Sequence, residues 1–177
     1  MGTDKALLPH PRGGSWLTGL VDQLVALSLD VVVVTGHSAH AAQLLGKAAV
    51  SLVQEPPPWH GPLQALSHVL SPQPGHPLLV VPVDMPCLST VVLRELISRW
   101  QSQPGLAAVA HDGHCCQPLL GIYPSGSPFH PSLVDQLARG EHRWQAWLQS
   151  IPHQLVRLPS PALLNANSPG ELAALKP

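Results

Sequence analysis

The stretch Asp30–Gly36, DVVVVTG, sets an unbroken run of valines between an aspartate and a glycine. A strand with one wet face alternates apolar and polar residues. A continuous β-branched run has no polar face, so it suits a parallel sheet covered by helices on both sides. Ala49–Glu55 (AVSLVQE) and His76–Asp84 (HPLLVVPVD) read as two further strands of this kind. The segments around them carry a helical period. Leu17–Leu29 places Leu17, Leu20, Val21, Leu24, Val25 and Leu27 near a 3.6-residue spacing. His40–Ala48 and Gly61–Leu70 are shorter helical candidates, and Leu88–Gln101 is a fuller one with Ser89 or Thr90 near its start. Strands alternating with helices predict an α/β fold with right-handed crossovers.

The second half breaks this rhythm. LAAVAHDG and QPLLGIY read as two strands joined directly by a turn. Pro131–Arg139 and Glu141–Gln149 read as helices, HQLVRL as a strand, and NSPGELAAL as a closing helix. In that last segment Ser168 is the expected N-cap, with Pro169 in the first helical position and Glu171 placed for a capping box. The proline clusters Pro56–Pro58 and Ser71–Pro77 read as loops within one domain spanning 1–177, a length that supports a sizeable core.

Nine basic residues stand against ten acidic ones, which gives no electrostatic case for a nucleic-acid or membrane-surface partner. No apolar run approaches the ~18 residues of a bilayer span, and no basic stretch followed by an apolar core opens the chain. Cys87, Cys115 and Cys116 form no disulfide framework, since adjacent cysteines rarely bridge. The expected compartment is therefore reducing and cytoplasmic.

A few residues carry chemistry. Asp84, in VPVDMP, follows an apolar strand, and open α/β sheets gather ligands at the carboxyl ends of their strands. A carboxylate there can hold a hard divalent cation, or it can simply cap a helix or pair with a base. In HGPLQAL, Gly61 lets backbone approach a ligand closely and Pro62 suits a first helical turn, although an ordinary loop-to-helix junction has the same look. Asn165 and Asn167 would project to one side of an extended stretch, and asparagines also favour turns. HDGHCC gathers His111, His114, Cys115 and Cys116 around a hairpin-type Asp-Gly, but no second set exists to close a tetrahedral zinc site. The other histidines are scattered and are expected on the surface or in loops. Lys5 suits a phosphate oxygen, or plain solvent.

In order along the chain, MGTDKALL, GPLQAL, PVDMP, QPLLGIY and NANSPGEL resemble the molybdenum cofactor guanylyltransferases, over residues 1 to about 172. The resemblance implies a Rossmann-like nucleotidyltransferase fold, a three-layer sandwich with a mostly parallel sheet. It implies transfer of GMP from GTP to molybdopterin with release of pyrophosphate. It assigns Lys5 to the nucleotide phosphates, Asp84 to Mg2+ beside the α-phosphate, and Gly61, Pro62 and Leu63 to the nucleotide site. Gln117 and Pro118 then line the second substrate's cleft, Arg143 meets a substrate phosphate, and Asn165 and Asn167 lie on the pterin side. A client molybdoenzyme or cofactor-delivery protein is the expected recipient of the product.

The same resemblance leads one to expect a first strand and a glycine-rich loop ahead of Met1. On that expectation either Met1 is an internal methionine, preceded by roughly 15 residues, about a strand and a loop, or the chain is naturally short and another element fills the gap. The alternatives are a cytidylyltransferase using CTP, a sugar-phosphate nucleotidyltransferase, or, from another class, a non-catalytic module that binds and hands on the cofactor. Asp4 ahead of Lys5 favours the guanylyl pattern, and a magnesium carboxylate has no use in a pure binder.

Overall fold

A computed structural model describes residues 4–10 and 13–166 of the chain. By contacts it divides into two compact units. Unit 1 comprises Met1–Pro56, Pro82–Leu93 and Pro161–Pro177, and unit 2 comprises Pro57–Val81 and Arg94–Ser160.

In unit 1, helix α1 (Trp16–Val25) starts from a reciprocal cap. The Ser15 amide donates to Thr18 Oγ1 at 2.9 Å, and the Thr18 amide donates to Ser15 Oγ at 3.3 Å. The helix stops short of Leu29 because Ser28 takes a left-handed conformation, φ 60°, that α-helix cannot continue through. Strands β1 (Val31–Thr35) and β2 (Val50–Gln54) pair in parallel, from Val31 opposite Val50 to Thr35 opposite Gln54. Helix α2 (Ala39–Leu44) connects them and ends at Leu45, whose ψ of 130° has left the helical range. Ala6, Leu17, Val21, Val31 and Leu44 form the apolar cluster. The valine run is covered less fully than its pattern predicts, since Val32 is 43% exposed.

Unit 2 holds a four-stranded sheet in the order β3-β5-β4-β6. Its strands are β3 (Leu78–Val80), β4 (Ala107–His111), β5 (Cys116–Tyr123) and β6 (His153–Arg157). β4 and β6 run parallel, while β5 is antiparallel to both β3 and β4. The predicted turn between LAAVAHDG and QPLLGIY is present. The third apolar run, however, pairs with β5 and yields a strand of only three residues. Pro82 ends it, because a residue with no N–H cannot carry a ladder onward. Ala107–Ala110 of β4 are fully buried.

Between Val109 and Ala110 the β4–β5 register shifts, so that Val109 faces Gly121 and Ala110 faces Gln117. Pro118 thus sits in a bulge, where its missing donor costs the sheet nothing. Gly121 lies so close to β4 that a Cβ there would stand 2.8 Å from the Ala108 carbonyl oxygen. Helices α3 (Pro62–Ser67), α4 (Thr90–Gln101), α5 (Phe129–Ala138) and α6 (Trp144–Ser150) follow in chain order, with α4 straddling the unit boundary. Leu63, Tyr123, Leu133, Trp144 and Trp147 anchor this unit's core. Tyr123 and Trp144 meet edge-on at 5.5 Å, as do Trp144 and Trp147 at 6.0 Å. The predicted closing helix over NSPGELAAL lies outside the described residues.

Candidate functional site

Unit 1 brings together the two residues singled out for chemistry. Lys5 opens a short 3-10 turn, Lys5–Leu7, capped by Asp4, whose Oδ1 accepts the Ala6 amide at 3.0 Å. Asp84 stands in a turn just after the Pro82 break. Lys5 Nζ lies 3.6 Å from Asp84 Oδ2, and the two side chains are 36% and 30% exposed. A pair this open to water adds little to stability, of the order of 0–1 kcal/mol. It therefore leaves one ammonium and one carboxylate side by side and accessible to a ligand.

The backbone of Asp84 fixes a third segment. Its carbonyl accepts the amide of Ala166 at 2.9 Å, and Ala166 is buried with Leu8 and Trp16. Asn165, the residue before, is exposed beside that anchor. Asn167, the other asparagine of the predicted pair, lies outside the described residues.

On the far side of Asp4 is a buried polar chain. Asp4 Oδ2 lies 2.7 Å from His40 Nε2, and His40 Nδ1 lies 2.7 Å from Thr35 Oγ1. Thr35 Oγ1 also accepts the His37 amide at 3.0 Å. His40 and Thr35 are 7% and 6% exposed. The sequence sets His40 at the start of a helical candidate and among histidines expected on the surface or in loops, with no such role. A signal for it is the short link from the strand end at Thr35 to the start of α2, in which His40 is the second residue.

The remaining candidates belong to unit 2. Gly61 has φ 93°, which an L side chain rarely adopts, and it leads into Pro62 at the first position of α3. Leu63 is wholly buried as a core residue, so of these three only the exposed Gly61 and Pro62 offer surface to a ligand. Gln117 and Pro118 are half-buried at the bulge of β5. The Pro118 carbonyl accepts the Tyr123 hydroxyl at 2.5 Å, and that hydroxyl accepts Trp144 Nε1–H at 2.9 Å. Burial pushes the Tyr123 phenol well above its ordinary range.

Arg143, at the start of α6, is 79% exposed and is held by Glu141. Its Nε donates to Glu141 Oε1 at 2.9 Å and its Nη2 to Oε2 at 2.7 Å. These bonds draw the Glu141 carboxyl down to about 2. A phosphate reaching Arg143 has to compete with this two-pronged partner.

The HDGHCC segment forms the β4–β5 turn. The Asp112 carboxylate accepts the amides of His114 and Cys115 at 2.7 Å each, and His111 Nδ1 accepts the Gly113 amide at 2.9 Å. Its polar side chains thus satisfy the turn's own backbone. Among the described residues no group of three or more histidine, cysteine or acidic side chains gathers around a common point. All three cysteines are free thiols.

The chain as a whole is similar to known proteins. The family model described as "MobA-like NTP transferase domain" matches residues 1–156. A protein of Rhodopirellula baltica named "Probable molybdenum cofactor guanylyltransferase" is 35% identical, over 97% of this chain and 83% of that one. The crystal structure of molybdopterin-guanine dinucleotide biosynthesis protein A from Archaeoglobus fulgidus superposes with a TM-score of 0.71 at 16% identity, covering 98% of this chain and 89% of that one. The 2-C-methyl-D-erythritol 4-phosphate cytidylyltransferase of Thermus thermophilus superposes with a TM-score of 0.70 at 16% identity, over 98% and 92% of the two chains. These two structures share the mixed α/β nucleotidyltransferase fold.

Proposed function

The chain belongs to the MobA-like NTP transferase family, and from that premise we propose that it is a molybdenum cofactor guanylyltransferase. It transfers GMP from GTP to the terminal phosphate of molybdopterin and releases pyrophosphate. The observation that carries this reading is the Lys5–Asp84 pair, 3.6 Å apart and open to solvent, with the Asn165 segment bonded to the Asp84 backbone. Residues 1–177 serve as one nucleotidyltransferase domain.

The donor set suits magnesium. Asp84 offers a single accessible carboxylate, and magnesium is commonly held by one or two carboxylates, substrate phosphate oxygens and water. Asp84 would hold the ion, which would supply the charge that polarises the α-phosphoryl group and orients the triphosphate. Lys5, released from Asp84, places its ammonium on a phosphate oxygen and offsets charge that grows as pyrophosphate leaves. Transfer of this kind depends on alignment and charge neutralisation, so it needs no protein nucleophile. Gly61 and Pro62 border the nucleotide, with Leu63 supporting them from the core. Gln117, Pro118, Asn165 and Asn167 contact the molybdopterin substrate, and Arg143 exchanges Glu141 for a substrate phosphate. The product passes to a molybdoenzyme or a cofactor-delivery protein in the cytoplasm. The free thiols agree with that compartment, and no described helix is long and apolar enough to cross a membrane.

The test is pyrophosphate release in the presence of molybdopterin and magnesium, with GTP or CTP as donor. GTP is the preferred donor, and Asp84→Ala abolishes turnover. Equal use of CTP would overturn the guanylyl assignment. Undiminished turnover by Asp84→Ala would overturn the placing of the site.

A further inference from the structure

The chain Thr35–His40–Asp4, buried at Thr35 and His40 and part-buried at Asp4, has a hydrogen-bond arrangement that fixes its own polarity. Asp4, as a carboxylate, can only accept, so His40 Nε2 must carry a proton toward it across 2.7 Å. Thr35 Oγ1 already accepts the His37 amide, and its own proton has an acceptor in His40 Nδ1 at 2.7 Å. A ring that donates from Nε2 and accepts at Nδ1 gives each of these atoms a partner, as buried polar groups require. Two titratable neighbours are Asp4, at 2.7 Å, and His37, whose ring centre is 5.4 Å from that of His40.

The carboxylate, imidazole and hydroxyl follow the order of a nucleophilic triad, but Thr35 is buried and cannot meet a substrate. What the chain controls is the other end. Asp4 uses Oδ2 for His40 and Oδ1 for the Ala6 amide, so it cannot rotate without losing one of them. Those two bonds set the turn from which Lys5 projects toward Asp84. We infer that His40 is a positioning residue that clamps Asp4 to the end of β1 and thereby aims Lys5. This inference rests on the reading of Lys5 as a phosphate ligand.

The test compares His40→Leu, His40→Gln, His40→Asn, Lys5→Ala and the double variant Lys5→Ala/His40→Leu in the full-length enzyme. A glutamine can present an amide N–H near the place of Nε2, whereas the shorter asparagine falls back toward Thr35 and leaves Asp4 unbonded. The expected result is a roughly 10- to 100-fold loss of kcat/KM for GTP in His40→Leu and His40→Asn. His40→Gln restores most of it, and the KM for molybdopterin stays unchanged. In the Lys5→Ala background His40→Leu has no further effect, since both changes remove one function. Independently of turnover, the 15N–1H spectrum of labelled histidine should show His40 protonated at Nε2 at neutral pH.

Wild-type turnover by Lys5→Ala would overturn the phosphate reading, and this inference with it. Should Lys5→Ala lose activity while His40→Leu and His40→Asn keep theirs, the inference alone falls. Multiplying losses in the double variant, equal losses in the Gln and Asn variants, or an Nε2 without a proton would each overturn it too. If His40→Leu does not fold, the split between Gln and Asn and the spectrum decide the matter.

Discussion

The two units solve the same problem, holding a few side chains still, by different means. Unit 2 does it with packing. Tyr123 and Trp147 are wholly buried and Trp144 nearly so, with the Tyr123 hydroxyl tied to the Pro118 carbonyl. Unit 1 has a smaller, mostly aliphatic cluster of residues such as Ala6, Val21 and Val31, and secures Lys5 and Asp84 through hydrogen bonds. A packed aromatic core resists most small perturbations, because many weak contacts share the load. A short polar chain can fail at any one atom, yet it aims a charge without burying it. The charged pair assigned to chemistry lies on the second kind of support.

That contrast is sharpest where activity and stability part. Asp84→Asn should lower kcat by about a thousandfold, equivalent to ~4 kcal/mol on the barrier, with little change in the thermal midpoint. Parallel losses of activity and stability would remove the distinction between the units. Trp147→Ala should do the converse, costing about 3–5 kcal/mol in denaturant unfolding because the cavity cannot fully collapse. Retained stability in that variant would mean that unit 2 does not depend on its aromatic core.

Tyr123→Phe leaves the Trp144 indole N–H and the Pro118 carbonyl without their partner. It should cost about 1–3 kcal/mol, read as a shift of the chemical-denaturation midpoint at unchanged slope. The smallest effect is expected at Glu141. Its folded carboxyl titrates at about 2 against an ordinary 4.5, so its stabilising contribution is present above 4.5 and lost as pH falls through about 2. Arg143→Ala should return the Glu141 titration, followed by NMR, toward 4.5 and barely move the unfolding midpoint. An unmoved titration would show that Arg143 is not the group that lowers it.

Much of the fold was legible because local pattern and tertiary outcome agree. The valine run, the strands around Asp112–Gly113 and the strand HQLVRL all lie where their residues predict. Helix ends were overrun where a single backbone angle decides, at Ser28 and at Leu45. The third strand was read too long because apolar continuity through Val83 outweighed the lost donor of Pro82. Pairing of that strand with β5 is a non-local choice that no window of sequence carries. Of the candidate site, Asp84 stood out by its place after an apolar strand and Lys5 only through the family resemblance, and the structure sets the two side by side. His40 was not, since burial and a carboxylate 36 positions away turn a common surface residue into a strut.

The close approach at Gly121 has a consequence for how this sheet can change over time. Any side chain there would press on the Ala108 carbonyl and the Tyr123 ring, so the two strands would have to part and the aromatic core with them. Substitution at 121 is therefore closed unless position 108 or 123 changes first. A saturation library at that codon, selected for folded protein, should return glycine alone.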